Sequence, residues 1–314
     1  MKIYINRQPV SGPWGGGNKT LSVLCNKILD SKFELVFDLV PDIDIIFCYD
    51  PRPNSKGIWY KHFLEYKEKY PNTKIVQRVG DVGSHSKPEL TNLLKDIDRL
   101  GKTDLYIFPS RWSMDYINFK GKNYKIIENC PMAIFYKNRR SSELSETIKI
   151  VTHHWSTNSK KGFRFYEELT ELLESNPSFN KNIELTYIGR YNNEFKSKGW
   201  KLIPPTNEES LASLLPTYDI YLTASIEEAG ANHVLEAMAA GLPVLYHNDG
   251  GSINEYCKNY GIGYNNNKSF ITSLEKIIKD YKIFKQRVMT YDRNISESVN
   301  RYIECIEKVF QGQK

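Results

Sequence analysis

The sequence predicts an α/β chain built as two doubly wound units facing a central cleft. Three observations lead there. Short apolar runs, of the kind that form strands buried on both faces of a parallel sheet, alternate with stretches of helical period along the chain. The alternation passes through about six strands, pauses at the polar stretch YKNRRSSELSE (136–146), and passes through about six more. The length, 314 residues, suits two domains at roughly 150 residues each.

In the first half the apolar runs place strands at 2–6, 34–37, 43–48, 73–79, 104–108 and 125–127. Helical patterns lie at 18–30, 58–70, 88–100 and 111–118. The polar stretch at 136–146 has no apolar period and reads as an interdomain linker. In the second half strands fall at 148–152, 184–188, 200–203, 219–224, 243–246 and 262–264, with helices near 160–174, 207–215, 232–240 and 268–279. A last helix over 295–310 carries Ile295, Val299, Tyr302, Ile303, Ile306, Val309 and Phe310 on one stripe, which needs a surface to bury against. The expected division is therefore 1–140, 141–294 and a helical segment 295–314 packing back toward the N-terminal unit. Ligands of such sheets bind beyond the carboxyl ends of the strands.

Composition narrows the class. With 40% hydrophobic and 25% charged residues the chain is neither collagen-like nor low-complexity nor largely disordered. A net charge of +6 is too mild for a nucleic-acid binder, and none is expected as a partner. The absence of an 18-residue apolar run predicts no membrane-spanning helix, and MKIYINRQPV alternates like a strand, not a secretory leader. The expected location is cytoplasmic, with peripheral contact at the inner membrane face left open. Cys25, Cys48, Cys130, Cys257 and Cys305 lack any zinc spacing and read as buried or neutral thiols of a reducing compartment. Asn18–Thr20 and Asn294–Ser296 match the glycosylation pattern, which is discounted without a leader. Asp42-Ile43-Asp44 and Asp96-Ile97-Asp98 match the Asp-x-Asp string of metal-dependent transferases. Such short strings arise by chance, and no metal is expected.

The strongest chemical signal is YDIYLTASIEEAGANHVLEAMAAGLPVLY, residues 218–246. A strand ends in a loop of Glu227, Glu228, Ala229, Gly230 and Ala231. A helix follows from near Asn232, a good cap residue, to Gly241. Small loop residues let backbone N–H groups approach a ligand, and the helix N-terminus adds partial positive charge. Together they suit a diphosphate. Glu236, one turn into the helix, faces the same crevice and can accept two ribose hydroxyls. Glu228 on the loop can hold sugar hydroxyls. A solvated surface loop fits the same spacing equally well.

Seven residues separate Glu228 from Glu236, AMAAGLPVL follows, and this resembles the E-x7-E signature of retaining glycosyltransferases of the GT-B fold, especially family 4 (glycosyl transferases group 1). IKIVTHHWSTNSKKGF (148–163), LTYIGR (185–190) and LIPPTNEESLASLLPTYDIYLTAS (202–225) resemble the donor domain of that family in order. GPWGGGN (12–18), DLYIFPS (104–110) and KIIENCPMAIF (125–135) resemble its N-terminal domain. The resemblance is specific over about 148–256 and weaker elsewhere. It implies two Rossmann-like domains and a hexosyltransferase-type activity (EC 2.4 class). A UDP or GDP sugar would be the donor substrate, with no cofactor. Glu236 would bind the nucleotide ribose, Glu228 the donor sugar, and the backbone of Ala229, Gly230 and Ala231 the sugar or phosphates. Lys161 would neutralise the diphosphate leaving group, where charge builds as the sugar–phosphate bond breaks. Two positions depart from the pattern. Ser156 occupies the place of the usual Arg five residues before the Lys, with Arg190 or Lys160 as substitutes. Glu-Ala-Gly-Ala replaces Glu-Gly-Phe-Gly, and Ala suffices only if no positive φ is required.

The first half is less explicit. QRVGDVGSHSKPE (77–89) follows a strand, and the resemblance carries a role near the reacting sugar to His85, against a plain polar loop residue. Gly15, Gly16 and Gly17 precede a helix; their N–H groups either face the diphosphate or only permit a tight turn. His153 and His154 end a strand and face opposite sides, which argues against a shared metal site. Two further readings remain beside the transferase: a nucleotide-sugar epimerase on the same fold, and a non-enzymatic sugar-nucleotide or glycan binder. The charge is uneven, +7 over 1–145 and −1 over 146–314. An acceptor glycan, glycolipid or other anionic molecule, or an anionic surface, is the expectation for the basic half.

Overall fold

The structure is a computed structural model that describes residues 1–10, 16–176, 182–193 and 195–313. The chain divides into two compact units, Met1–Asn129 with Ile295–Lys314, and Cys130–Asn294.

The first unit carries β1 (Lys2–Ile5), α1 (Gly16–Leu29), β2 (Glu34–Val36), β3 (Ile45–Cys48), α2 (Tyr60–Lys69), β4 (Lys74–Arg78), α3 (Pro88–Leu100), β5 (Leu105–Phe108), α4 (Arg111–Tyr116) and β6 (Tyr124–Ile126). Its strands form one parallel sheet in the order β2-β1-β3-β4-β5-β6. Ile45, Ile46, Phe47 and Cys48 are all buried, as a strand covered on both faces requires. Pro88 pre-sets the first turn of α3, and Gly101 takes the left-handed conformation just past its end. The order reverses between β1 and β3. There Asn6 donates from Nδ2 to the carbonyl of Asp50 and accepts from the N–H of Tyr49, locking the two strand ends together.

The second unit carries β7 (Ile148–His154), α5 (Phe163–Glu174), β8 (Ile183–Gly189), β9 (Trp200–Ile203), α6 (Glu208–Leu214), β10 (Ile220–Thr223), α7 (Asn232–Ala239), β11 (Val244–His247), α8 (Ser252–Cys257), β12 (Gly261–Tyr264), α9 (Asn267–Lys279) and α10 (Tyr281–Val288). Its parallel sheet runs β12-β11-β10-β7-β8-β9 and reverses between β7 and β10. Alternate strand residues feed two cores. Val151, Tyr221 and Val244 join one, and Ile150, Leu222 and Leu245 the other. Two parallel six-stranded sheets with helices are the architecture the sequence predicts.

The expected helix at the C-terminus is α11 (Ile295–Phe310). It packs on α1, and Tyr302 meets Phe47 edge-on at 6.0 Å. The stripe stops short of its predicted end: Phe310 is 47% exposed. The stretch read as a linker starts inside the second unit. Phe135 is buried in its core, Tyr136 stacks on Tyr291, and the Arg139 guanidinium donates to the carbonyls of Val288 and Tyr291. The division therefore falls after Asn129 and not near 140, because Ala133–Tyr136 form a 3-10 turn with apolar residues that the polar text around it obscures. With α11 counted in the first unit, that unit holds 23 basic and 18 acidic residues against 20 and 19 in the second, so its basic excess is +5.

Candidate active site

In an open α/β sheet the strand ends at the reversal of order leave a crevice, because the flanking helices lie on opposite faces. In the second unit this is the end of β7 and β10. β7 finishes in His153 and His154, both buried. Their side chains diverge, as neighbours on a strand must. His153 Nε2 donates to Glu236 Oε2 on α7 at 2.9 Å. His154 Nε2 lies 3.0 Å from the Tyr166 hydroxyl on α5. Glu236 is only 4% exposed, so its carboxylate is held in place by this contact.

The chain leaving β7 turns back over the strand ends. Ser156 Oγ accepts the N–H of Asn158, and Asn158 Oδ1 accepts that of Lys160. This winds the 3-10 turn Ser159–Lys161, which Gly162 ends at φ 88°. A Cβ at Gly162 would lie 2.4 Å from Ala224 Cβ, so only glycine lets the two loops approach. The Lys160 carbonyl accepts the N–H of Ile226, which ties the lysine turn to the loop after β10.

That loop brings the predicted residues together. Lys161 Nζ pairs with Glu228 Oε1, each side chain 12% exposed, and Lys160 Nζ pairs with Glu227 Oε2 at 2.5 Å. Glu227 takes φ 55°, held by its N–H to the Asp249 carbonyl at 2.8 Å. Ala229, Gly230 and Ala231 have ordinary negative φ, so the alanines that replace the family's residues meet no steric objection. Ala231 precedes α7 without a side-chain cap, and Asn232 is the first helical residue, not the cap expected of it. The N–H of Ala231 instead donates to Ser252 Oγ at 3.1 Å, which occupies one of the three backbone donors assigned to a ligand.

The surroundings are buried. His233, on α7, is buried near Thr223 Oγ1 at 3.1 Å, and burial pushes its pKa down to about 3, so it is neutral. Tyr166, raised to about 12 by burial, accepts the N–H of Ala224 at 3.0 Å. Buried atoms at this end that have no hydrogen-bond partner include His153 Nδ1 and Ser225 Oγ. Arg190 follows β8 with its side chain exposed; its backbone bonds His154 O and Tyr187 OH. The partners that sequence reasoning missed are His153 for Glu236, Tyr166 for His154 and Ser252 for Ala231. The doubled His at a strand end was their only visible signal.

In the first unit Gly16 and Gly17 open α1; residues 11–15, with Gly15, lie outside the described residues. The Gly17 carbonyl accepts the Tyr49 hydroxyl, and nothing lies within 4 Å of a Cβ built there, so packing does not demand glycine. His85 is half-buried on the loop between β4 and α3. Asp42 takes φ 59°, Asp44 accepts the N–H of Lys2, Asp96 pairs with Arg99 and Asp98 accepts the N–H of Lys120, so both Asp-x-Asp strings serve the local backbone and surface. The cysteines are unbridged, four of them buried and Cys305 partly so. Among the described residues, no helix is long and apolar enough to cross a membrane.

Residues 137–294 match the family model of glycosyl transferases group 1. The chain belongs to that family. It is an enzyme of the glycosyltransferase class, and its architecture is the GT-B fold. No curated protein sequence matches this glycosyltransferase. Solved structures resemble it along nearly its whole length. Sucrose-phosphate synthase from Thermosynechococcus elongatus shares 14% identity at TM-score 0.67, covering 99% of this chain and 100% of that one. WaaG, a glycosyltransferase of lipopolysaccharide biosynthesis, shares 13% at 0.68, covering 98% and 99%. Anabaena HepE, solved with UDP-glucose, shares 12% at 0.69, covering 98% and 99%. At such identities the likeness carries the fold alone.

Proposed function

We propose that this glycosyltransferase is a retaining, metal-independent enzyme that moves a sugar from a nucleoside-diphosphate donor bound by the second unit to an acceptor held by the first. The observation that carries the reading is the convergence at the β7–β10 reversal of a buried, oriented carboxylate, Glu236, with a second carboxylate and a lysine, Glu228 and Lys161. A fixed carboxylate suits two ribose hydroxyls, since both donate and it accepts. The unpartnered Ser225 Oγ and His153 Nδ1 are groups of the kind that a polar ligand satisfies. The backbone of Ala229 and Gly230 would face the sugar or phosphates.

Lys161 would leave Glu228 for the diphosphate, stabilising charge as it develops on the leaving oxygen. Glu228 would then hold the sugar's hydroxyls. Attack from the face that the diphosphate leaves needs no carboxylate nucleophile, so the protein contributes positioning and electrostatics. Ser156 supplies no cation, and Arg190 or Lys160 would substitute for the family's arginine. In the first unit, His85 would stand near the reacting sugar and the N–H groups of Gly16 and Gly17 would face the diphosphate. The structural relative HepE was solved with UDP-glucose, which favours a uridine donor.

The test is a thermal-shift screen of the full chain against UDP and GDP sugars, followed by donor hydrolysis and transfer assays. A donor that binds the folded state raises the melting temperature by mass action. Stabilisation and turnover by one donor are expected. No shift with any of them overturns the reading.

A further inference from the structure

The first unit has its own reversal of strand order, between β1 and β3, and a pocket of about 610 Å³ lies at the ends of β1, β3 and β4. Four cations line it: Arg7, Arg52, Arg78 and Lys87. Three of them share two carboxylates. Arg52 grips Asp50 through Nε and Nη2 at 3.0 and 2.7 Å, Arg7 lies 3.5 Å from the same carboxylate, and Lys87 pairs with Asp81 at 2.7 Å.

Arg78 takes neither carboxylate. It makes no ion pair among the described residues, yet only 5% of it is exposed and its Nε has no hydrogen-bond partner. Its guanidinium lies over the Tyr49 ring, 4.4 Å from the centroid, with Tyr302 beside it. A ring face holds a guanidinium in position without neutralising it. The backbone is also shaped around it: a Cβ at Gly80 would lie 2.0 Å from Arg78 Nη1. A buried cation that no carboxylate contacts is costly, and a purely structural role would be served by an apolar side chain.

We propose that this pocket binds an anionic group, a phosphate or a carboxylate, on the Arg78 guanidinium, and that this group belongs to the molecule that receives the sugar. The second clause rests on the transferase reading above; the first does not. The forked donors of arginine match either anion in two parallel bonds, and the surplus positive charge of the first unit draws such a ligand in. It also gives the basic excess of that unit a location.

The test is calorimetric titration of the full chain with sodium phosphate and, separately, sodium acetate, at ionic strength fixed with chloride. Each titration is repeated in Lys161→Ala, which removes the phosphate site expected of the second unit. One anion should bind in both backgrounds, the tighter one naming the acceptor as phosphorylated or as a sugar acid. Arg78→Met should weaken it at least tenfold, as loss of a charge-assisted bond implies. Should that variant not fold, Arg78→Lys keeps the charge without the fork, and Gly80→Ala displaces the guanidinium; either should weaken binding. Wild-type affinity in these variants, binding lost only in Lys161→Ala, or no binding of either anion overturns the proposal. Nucleotide binding that ignores Glu236→Ala would sink the donor reading and leave this titration untouched.

Discussion

The ion pair between Lys161 and Glu228 sets up a competition that can be measured. A diphosphate that recruits Lys161 must first separate it from Glu228, and the freed carboxylate then sits beside the incoming anion. Exposed pairs are worth about 0.2–1 kcal/mol, whereas breaking a buried pair costs about 3–5 kcal/mol. With each side chain 12% exposed the pair lies between these limits, and solvent screening favours the lower half. About 1–2 kcal/mol of competition corresponds to a factor of about 5–30 in affinity. Glu228→Gln keeps the shape and removes the charge. It should therefore bind UDP or GDP about 5–30 times more tightly than the wild type while turning over a donor sugar more slowly. Calorimetric titration of each diphosphate into both proteins reads this directly. Equal or weaker affinity in Glu228→Gln would refute the competition.

Other consequences concern the scaffold of the same site. Gly162→Ala would force a Cβ against Ala224 at a φ that L-residues avoid, and should lower stability by at least about 1–2 kcal/mol in urea unfolding; an unchanged midpoint would mean the loops do not need their close approach. Tyr166→Phe strips the acceptor from the buried N–H of Ala224 and should cost about 1–3 kcal/mol by the same assay, with neutrality contradicting it. His233 is held neutral with a pKa near 3, below its unfolded value near 6.5. The unfolded chain therefore binds an extra proton in that window, and the stability from keeping His233 neutral is complete above about pH 6.5 and lost as the pH falls toward 3. His233→Gln should flatten the acid limb of a melting-temperature profile, and an unaltered limb would count against the assignment.

Much of the fold was legible because parallel strands buried on both faces must be short apolar runs. All twelve such runs correspond to strands, and the helix over 88–100 matches α3 end to end. α8 and α10 escaped notice for a physical reason. α8 is short and follows directly on Gly250 and Gly251, which read as a turn, and α10 buries Lys285, whose charged end donates to the Gly241 carbonyl just past α7. Burial pushes that lysine's pKa down to about 8. A pattern reader counts such a lysine as solvent-facing. The division at Asn129 was missed for a related reason, since Arg139 is a polar residue spent on internal carbonyls.

The site was legible in part. Glu228, Glu236 and Lys161 stand on spacing and on a local loop motif, both of which sequence records. Their mutual pairing, and that of Glu236 with His153, depends on strands distant in sequence, and no local pattern reports it. The isolation of Arg78 was invisible for the converse reason. Three other cations surround it, and only their geometry shows which of them lacks a carboxylate.

The central claim is that Glu236 grips the ribose of a nucleotide at the β7–β10 reversal. Titration of UDP and GDP into the wild type and Glu236→Ala tests it most directly. Hydrogen bonds to a charged acceptor are worth about 1.5–3 kcal/mol, so the nucleotide that binds should lose about 10–150-fold in affinity. The same affinity in both proteins would contradict the account.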